Sequence, residues 1–263
     1  MSNYTRSLAY PWALTGIFAA VHLVITLIPF SIGVGGAGEI SFGLVSAPIL
    51  GFLLGPFFGV IAVVIGSVIA LFINPAIAIL GPFTVIATAA GAFAAGAMRT
   101  KLRVAIPALY LVAIAVFLVS PIGLLIPHFL LFHIIVFLLS LIFFVPGISK
   151  RLIEPLMLER SFNRLLGLVS IWLLSIVAVT LDNVIGSMIG AYYFIAVFGM
   201  TPEALAGLFV LGIPVIPIER IVGSVIVALI LIALAEVLAR ADFGLPLSRV
   251  GTYELLELSE EEV

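Results

Sequence analysis

The sequence predicts an all-α, polytopic membrane helix bundle with about eight transmembrane segments. Of its 263 residues, 64% are hydrophobic and 9% are charged, and the mean hydropathy is +1.41. A water-soluble domain of this length needs a more charged surface than this composition supplies. In addition, residues 40–98 carry no formal charge. Since one helix crosses the bilayer core with about 20 residues, this stretch has to cross about three times.

The segments follow from the apolar runs and from the glycines and prolines between them. The first run, 10–30, is too long for the core of a signal peptide and is interpreted as a first transmembrane helix. Gly55-Pro56, Asn74-Pro75 and Gly81-Pro82 mark turns inside the uncharged stretch. Seven further segments are therefore predicted, at 41–54, 57–73, 83–98, 104–119, 125–145, 165–181 and 217–238.

The apolar stretch 183–215 must begin and end on the same side of the membrane to keep this pattern. It either extends the preceding helix and returns, or forms a re-entrant hairpin. Non-helical backbone at membrane depth survives only where it is buried in protein or lines a cavity. The outer half of the bundle is therefore predicted to contain a cavity.

The basic residues predict that both termini are cytoplasmic. If every segment crosses, ten of the eleven basic residues fall on the inner side and only Arg220 falls outside, as the positive-inside rule requires. Residues 1–240 then form one transmembrane bundle in the cell membrane. Residues 150–164 are expected to be a cytoplasmic interfacial segment interrupted at Pro155, and 241–263 an acidic, solvated cytoplasmic tail.

The sequence lacks the residues that several kinds of catalysis and binding require. The chain has no cysteine, no G-x-x-x-x-G-K-[ST] phosphate loop, no H-E-x-x-H and no G-x-S-x-G, and its net charge of −2 includes no basic block for nucleic acid. His128 and His133 are five residues apart and point to different helix faces, which argues against a metal site. We expect no enzyme activity, no cofactor and no metal.

Polar residues within or near the membrane are the candidate binding residues, because such groups are expensive in lipid. Asp182 and Asn183 follow the seventh segment, and Glu219 opens the last one. Arg220 can pair with Asp182 or Glu219, so structural ion pairing and ligand contact both stay open. The full predicted substrate-binding set is Asn74, Asp182, Asn183, Tyr192 and Glu219.

Two further features of the first helix allow a structural and a functional interpretation. His22 is either a buried histidine with its hydrogen bonds satisfied or a ligand contact. Gly16 and Ala20, four residues apart, permit close approach of another helix, either within the bundle or from a partner membrane protein. Outside the first helix, Tyr192 also has two interpretations: it contacts the ligand, or it anchors the protein at the membrane face, as tyrosines commonly do.

Two stretches resemble the first half of the substrate-binding (S) component of energy-coupling factor (ECF) transporters. They are ISFGLVSAPILGFLLGPFFGVIAVVIGSVIALFINP and GPFTVIATAAGAFAAGAM, and the segment IPIERIVGSVIVALI, with Pro217, Glu219 and Arg220, resembles the start of the family's last helix. The resemblance covers 10–98 and 165–240. It implies a six-helix core, to which 104–146 would be added as an inserted transmembrane hairpin.

The resemblance also implies a function. The chain would be a membrane-embedded substrate-binding subunit for uptake of a small, vitamin-like organic nutrient, driven by partner ATPase subunits and a coupling membrane subunit. Gly35, Gly36 and Glu39 would form a gate loop over the ligand, and Gly16 and Ala20 would contact the partner. The alternatives are a self-sufficient proton- or ion-coupled secondary transporter and a structural membrane subunit that transports nothing.

Overall fold

A computed structural model describes residues 7, 9–28, 41–154, 164–240 and 245–250, and this part of the chain is helical throughout apart from turns and connections. The α-helices, in chain order, are α1 (Ala9–Thr26), α2 (Gly43–Ile73), α3 (Thr84–Ala97), α4 (Ala105–Leu118), α5 (Leu131–Leu141), α6 (Ile148–Ile153), α7 (Arg164–Phe198) and α8 (Pro202–Arg240). Short 3₁₀ turns extend several of them, among them Pro127–Leu130 before α5.

Six helical stretches among the described residues are long and apolar enough to cross a membrane. They are Ala9–Thr26, Gly43–Ile73, Lys101–Leu118, Pro127–Phe144, Leu165–Phe198 and Pro202–Leu234. Large apolar side chains also cover the outside of the bundle: Phe72 is 84% exposed and Leu124 83%. Such a surface is suited to lipid and not to water. The chain is a helical multi-pass membrane protein, as its composition predicts.

Helix α2 is a hairpin of two antiparallel segments, 43–54 and 56–73. Its backbone breaks at Gly55, where φ is +81°, a value that favours glycine. The imidazole of His22 hydrogen-bonds to Ser46 at 2.7 Å and to Ser67 at 2.9 Å. In a straight helix those two serines would lie about 31 Å apart, so the chain must reverse between them. The turn predicted at Gly55-Pro56 is present.

Glycines bring the segments of this hairpin and the first helix close together. A Cβ atom placed on Gly59 would lie 2.7 Å from the Cα of Gly51, and one on Gly66 would lie 2.6 Å from the carbonyl oxygen of Ala19. Small residues favour helix association in lipid because backbones can approach closely. The glycines at these positions therefore allow close packing inside the bundle.

Helices α7 and α8 are longer than a single crossing requires. At 1.5 Å per residue the 35 residues of α7 extend about 52 Å, compared with a hydrocarbon core of about 30 Å. The chain then turns at Gly199, where φ is +65°, and returns in α8. Of the two conformations expected for 183–215, the structure has the extension and return.

The structure describes the region of the predicted 104–146 hairpin and the first part of the 150–164 segment. Helices α4 and α5 are neighbours that both pack on α7, at the place of the predicted 104–146 hairpin. The first part of the 150–164 segment is helical in α6, and the exposed Lys150 and Glu154 form an ion pair of 3.6 Å. Pro155 and the next eight residues lie outside the described part of the chain.

Part of the C-terminal tail, expected to be solvated, packs against the turn of α2: Leu245, Leu247 and Ser248 are buried, whereas Arg249 and Val250 are exposed. The Leu247 amide donates to the Leu53 carbonyl oxygen at 2.8 Å, and the Ser248 hydroxyl donates to that of Leu54 at 2.6 Å. The Arg99 guanidinium donates to Phe52. These are the last carbonyls of a helix that ends at Gly55, and they need partners from elsewhere. Burial, with the nearby charge of Arg249, lowers the pKa of Arg99 to about 10, so Arg99 stays charged at neutral pH.

Candidate functional site

A cavity of about 600 Å³ lies among α7, α8 and the connection between α2 and α3. Helix α3 begins at the cavity with Thr84 and ends, 13 residues later, beside Arg99. The cavity is therefore at the opposite end of α3 from the basic residues Arg99, Lys101 and Arg103. Ser41, the first described residue after the predicted gate loop, also lines it.

One face of α7 forms a wall of the cavity. Five of its lining residues recur every four positions, which places them in a row along the helix: Asp182, Gly186, Gly190, Phe194 and Phe198. The two glycines leave the middle of this row without side chains; a Cβ would lie 3.5 Å from the Ala87 Cβ on Gly186 and 3.3 Å from the Leu80 side chain on Gly190. The same row of α7 is polar where it starts and aromatic where it ends.

Helix α8 supplies the facing wall. Leu205, Leu208, Phe209 and Ile216 contribute apolar surface, and Glu219 and Arg220 contribute charge. Glu219 is only 3% exposed and Arg220 only 4%. Charged side chains buried this deeply in a membrane protein mark functional sites or internal ion pairs.

The polar groups gather at one end of the cavity. Asp182 and Asn183 from α7 line it together with Glu219 and Arg220 from α8. The Asn183 side-chain oxygen and His133 Nε2 are 2.7 Å apart, so α5 holds the amide in place from behind. The charge of Arg220 acts on both Asp182 and His133.

Three of the five predicted substrate-binding residues line this cavity, namely Asp182, Asn183 and Glu219, while Asn74 and Tyr192 are elsewhere. The Asn74 side-chain oxygen accepts from the Ala76 amide at 3.1 Å and caps a 3₁₀ turn. The Tyr192 hydroxyl donates to the Val116 carbonyl oxygen of α4 at 2.9 Å. Asn74 therefore stabilises a local turn, and Tyr192 joins α7 to α4.

The other predicted residues have mixed outcomes. Gly35, Gly36 and Glu39 lie outside the described part of the chain. Gly16 and Ala20 lie on the exposed side of α1, and no atom approaches within 4 Å of a Cβ placed on Gly16. His22 is fully buried and hydrogen-bonded to two serines, which confirms the structural interpretation of this histidine.

The sequence did not identify the aromatic lining or the place of His133. Phe129, Phe194 and Phe209 line the cavity. The four-residue spacing after Asp182 was a signal that could have identified Phe194 and Phe198. The contact between His133 and Asn183 joins residues 50 positions apart and depends on how α5 packs against α7.

This arrangement suits binding of a small organic molecule. A guanidinium, two carboxylates and an amide converge at one end of a chamber whose remaining lining is mostly apolar, which is the usual composition of a ligand pocket. Within the described residues no three histidine, aspartate or glutamate side chains are grouped so that they could hold a metal ion.

Comparison of the chain with protein-family models, with curated proteins and with solved structures found no match.

Proposed function

We propose that the chain is the membrane-embedded substrate-binding subunit of an uptake system for a small organic nutrient. The observation that carries the proposal is the cavity of about 600 Å³ in which Asp182, Asn183, Glu219 and Arg220 meet. Buried ionisable groups that border a cavity in a membrane protein are ligand-site candidates by default. The chain would bind the nutrient and would carry out no catalysis.

The proposed orientation puts the cavity on the extracytoplasmic side of the cell membrane. The basic residues Arg99, Lys101 and Arg103 lie at the far end of α3, and the positive-inside rule assigns that end to the cytoplasm. Both termini would then be cytoplasmic and the segments would number about eight, with α2 counted as two. Gly35, Gly36 and Glu39 would form the gate, since Ser41 after them borders the cavity.

The proposed energy source lies in partner subunits, because the chain has no phosphate loop of its own. A coupling membrane subunit and ATPase subunits would drive release of the nutrient inward, as in the ECF transporters that the sequence resembles. The proposed contact is the exposed face of α1 at Gly16 and Ala20, because small residues at this spacing allow another helix to approach closely. Membrane lipid would cover the rest of the bundle.

Purification in mild detergent tests this proposal. Mass spectrometry should find a retained small molecule, and in the same sample a second membrane subunit and ATPase subunits. Uptake into vesicles that hold the complex should require ATP. Copurification with a larger complex and no small molecule would favour the structural alternative and contradict the proposal.

A second candidate is a proton- or ion-coupled transporter that needs no partner. The observation in its favour is the group of ionisable side chains at membrane depth, since Asp182, Arg220 and His133 interact electrostatically. This candidate predicts uptake by the isolated chain in vesicles that have an ion gradient and no ATP. If the chain is instead a substrate-binding subunit, the isolated chain takes up no substrate under these conditions.

A further inference from the structure

Two opposite charges line the cavity without pairing to each other. Asp182 is on α7 and Arg220 is on α8, and in the described residues no ion pair of 4.0 Å or less joins them. They are nevertheless close enough for the charge of Arg220 to act on Asp182. A gap of this kind, between two charges on facing walls, is a place for a ligand that carries both complementary charges.

The Arg220 guanidinium has unused donor capacity. Its Nε atom is buried and has no hydrogen-bond partner, and its Nη1 reaches the Val179 carbonyl oxygen only at 3.5 Å, at the limit of a hydrogen bond. A buried polar donor without a partner is costly. The planar fork of an arginine matches a carboxylate with two parallel hydrogen bonds, so an anionic ligand group would satisfy it.

The Asp182 carboxylate has unused acceptor capacity, which complements the unused donor capacity of Arg220. It borders the cavity and makes no hydrogen bond to the described residues, whereas the amide of the adjacent Asn183 is bonded to His133. A carboxylate shielded from bulk water accepts most favourably from a charged donor. An ammonium group of the ligand would supply that donor beside Asp182.

The remainder of the cavity lining determines the chemistry of the uncharged part of the ligand, here called its body. From Asp182 to Phe198 the lining follows α7 for 16 residues, which corresponds to about 24 Å. The rest of the lining is mostly apolar and includes four phenylalanines, together with the hydroxyl groups of Ser41, Thr84, Thr88 and Ser187; the phenylalanines are Phe129, Phe194, Phe198 and Phe209. Such walls bind aliphatic or aromatic groups, and aromatic rings gain from edge-to-face contact with them.

We infer that the cavity binds a zwitterionic organic molecule, with an ammonium and a carboxylate together at one end and an apolar, ring-bearing body at the other. Arg220 binds the carboxylate, Asp182 binds the ammonium, and the phenylalanines hold the body. The inference rests on the proposed function, since it requires the cavity to be a ligand site. It does not depend on the energy source or on the partner subunits.

Three probes with the same body test the inference. They are 2-amino-4-phenylbutanoate, 4-phenylbutanoate, which lacks the amine, and 3-phenylpropylamine, which lacks the carboxylate. Binding of each to the purified full-length protein in detergent is measured by isothermal titration calorimetry at pH 7. We expect the zwitterion to bind at least about tenfold more tightly than either single-charge probe, because each of those leaves one buried charge unpaired.

Variants assign each charge to its residue. In Arg220→Gln the zwitterion should lose its advantage over the amine and keep its advantage over the acid. In Asp182→Asn the zwitterion should no longer bind more tightly than 4-phenylbutanoate but should still bind more tightly than 3-phenylpropylamine. Arg220→Lys, which restores the charge without the fork, should recover part of the preference. A purely structural role would weaken all three probes equally.

The wild-type protein alone can overturn the inference, so it stays testable if a variant fails to fold. Equal or tighter binding of either single-charge probe overturns it, and so does the absence of binding by all three. Mass spectrometry of the small molecule retained by the purified protein tests the proposed function separately. A retained molecule without an amine overturns this inference and leaves the proposed function standing, whereas the absence of any retained molecule and of probe binding contradicts both.

Discussion

Replacing Gly59 with alanine tests the hairpin of α2, on which the position of the cavity walls depends. A Cβ at residue 59 would lie 2.7 Å from the Gly51 Cα and 2.9 Å from the Leu50 carbonyl oxygen. Both neighbours are backbone atoms, so no side-chain rotation relieves the overlap. Ordinary contact begins at 3.4 Å, so the two segments must separate by about 0.7 Å.

The size of the effect follows from two opposing terms. Overpacking of a close-packed interior costs about 1–3 kcal/mol, and a gap of about 0.5–1 Å forfeits a quarter to a half of the dispersion energy of each contact it opens. Alanine in a helix recovers about 0.5–1 kcal/mol relative to glycine. The control is Gly16→Ala, where the added Cβ meets no atom within 4 Å. The propensity gain is common to both variants, so the two should differ by about 1–3 kcal/mol.

The free energy of unfolding is measured by titration with sodium dodecyl sulfate in mixed micelles, with the fluorescence of Trp12 and Trp172 as the signal. Gly59→Ala should unfold at a lower detergent fraction than wild type, and Gly16→Ala at the same or a higher fraction. Equal stability of the two variants would refute the hairpin, since Gly59 would then have open space beside it.

Three further predictions use the same unfolding assay. His22→Ala should lower the free energy of unfolding by about 2–4 kcal/mol, because it leaves a cavity and takes a hydrogen-bond partner from Ser46 and Ser67; a loss below about 0.5 kcal/mol would contradict the buried network. Ser248→Ala should lower it by about 1 kcal/mol through loss of the bond to the Leu54 carbonyl, and no change would show that the tail does not pack there. Asn74→Ala should lower it by about 1 kcal/mol through loss of the cap and leave ligand affinity unchanged; a fall in affinity measured by calorimetry would place Asn74 at the ligand.

The sequence predicts the fold class and most helix positions because the physical signals are local. The break at Gly55-Pro56 needs only a glycine that can adopt positive φ and a proline that cannot donate a helical hydrogen bond. The length of α7 was less predictable. A run of apolar residues after Asp182 is compatible with extension or with a re-entrant hairpin, and packing against α8 decides between them.

The candidate site could be predicted where burial of charge in lipid is itself the signal. This signal predicts Asp182, Asn183 and Glu219, and all three line the cavity. The hydrogen-bonding capacity of Asn74 and Tyr192 also predicts ligand contact, but the structure uses that capacity for a turn cap and an interhelical bond. Nothing in the sequence separates these uses, because the partners are backbone carbonyls and amides.

The most direct test of the account compares two glycine-to-leucine variants for retention of the bound small molecule. Gly186 lines the cavity, so Gly186→Leu fills it, while Gly207, on α8 and outside the lining, has no atom within 4 Å of a Cβ and faces open space. Native mass spectrometry of the purified proteins should show the same small molecule on wild type and Gly207→Leu, and its loss from Gly186→Leu at unchanged stability. Equal retention by both variants would contradict the account, because the molecule would then bind outside this cavity.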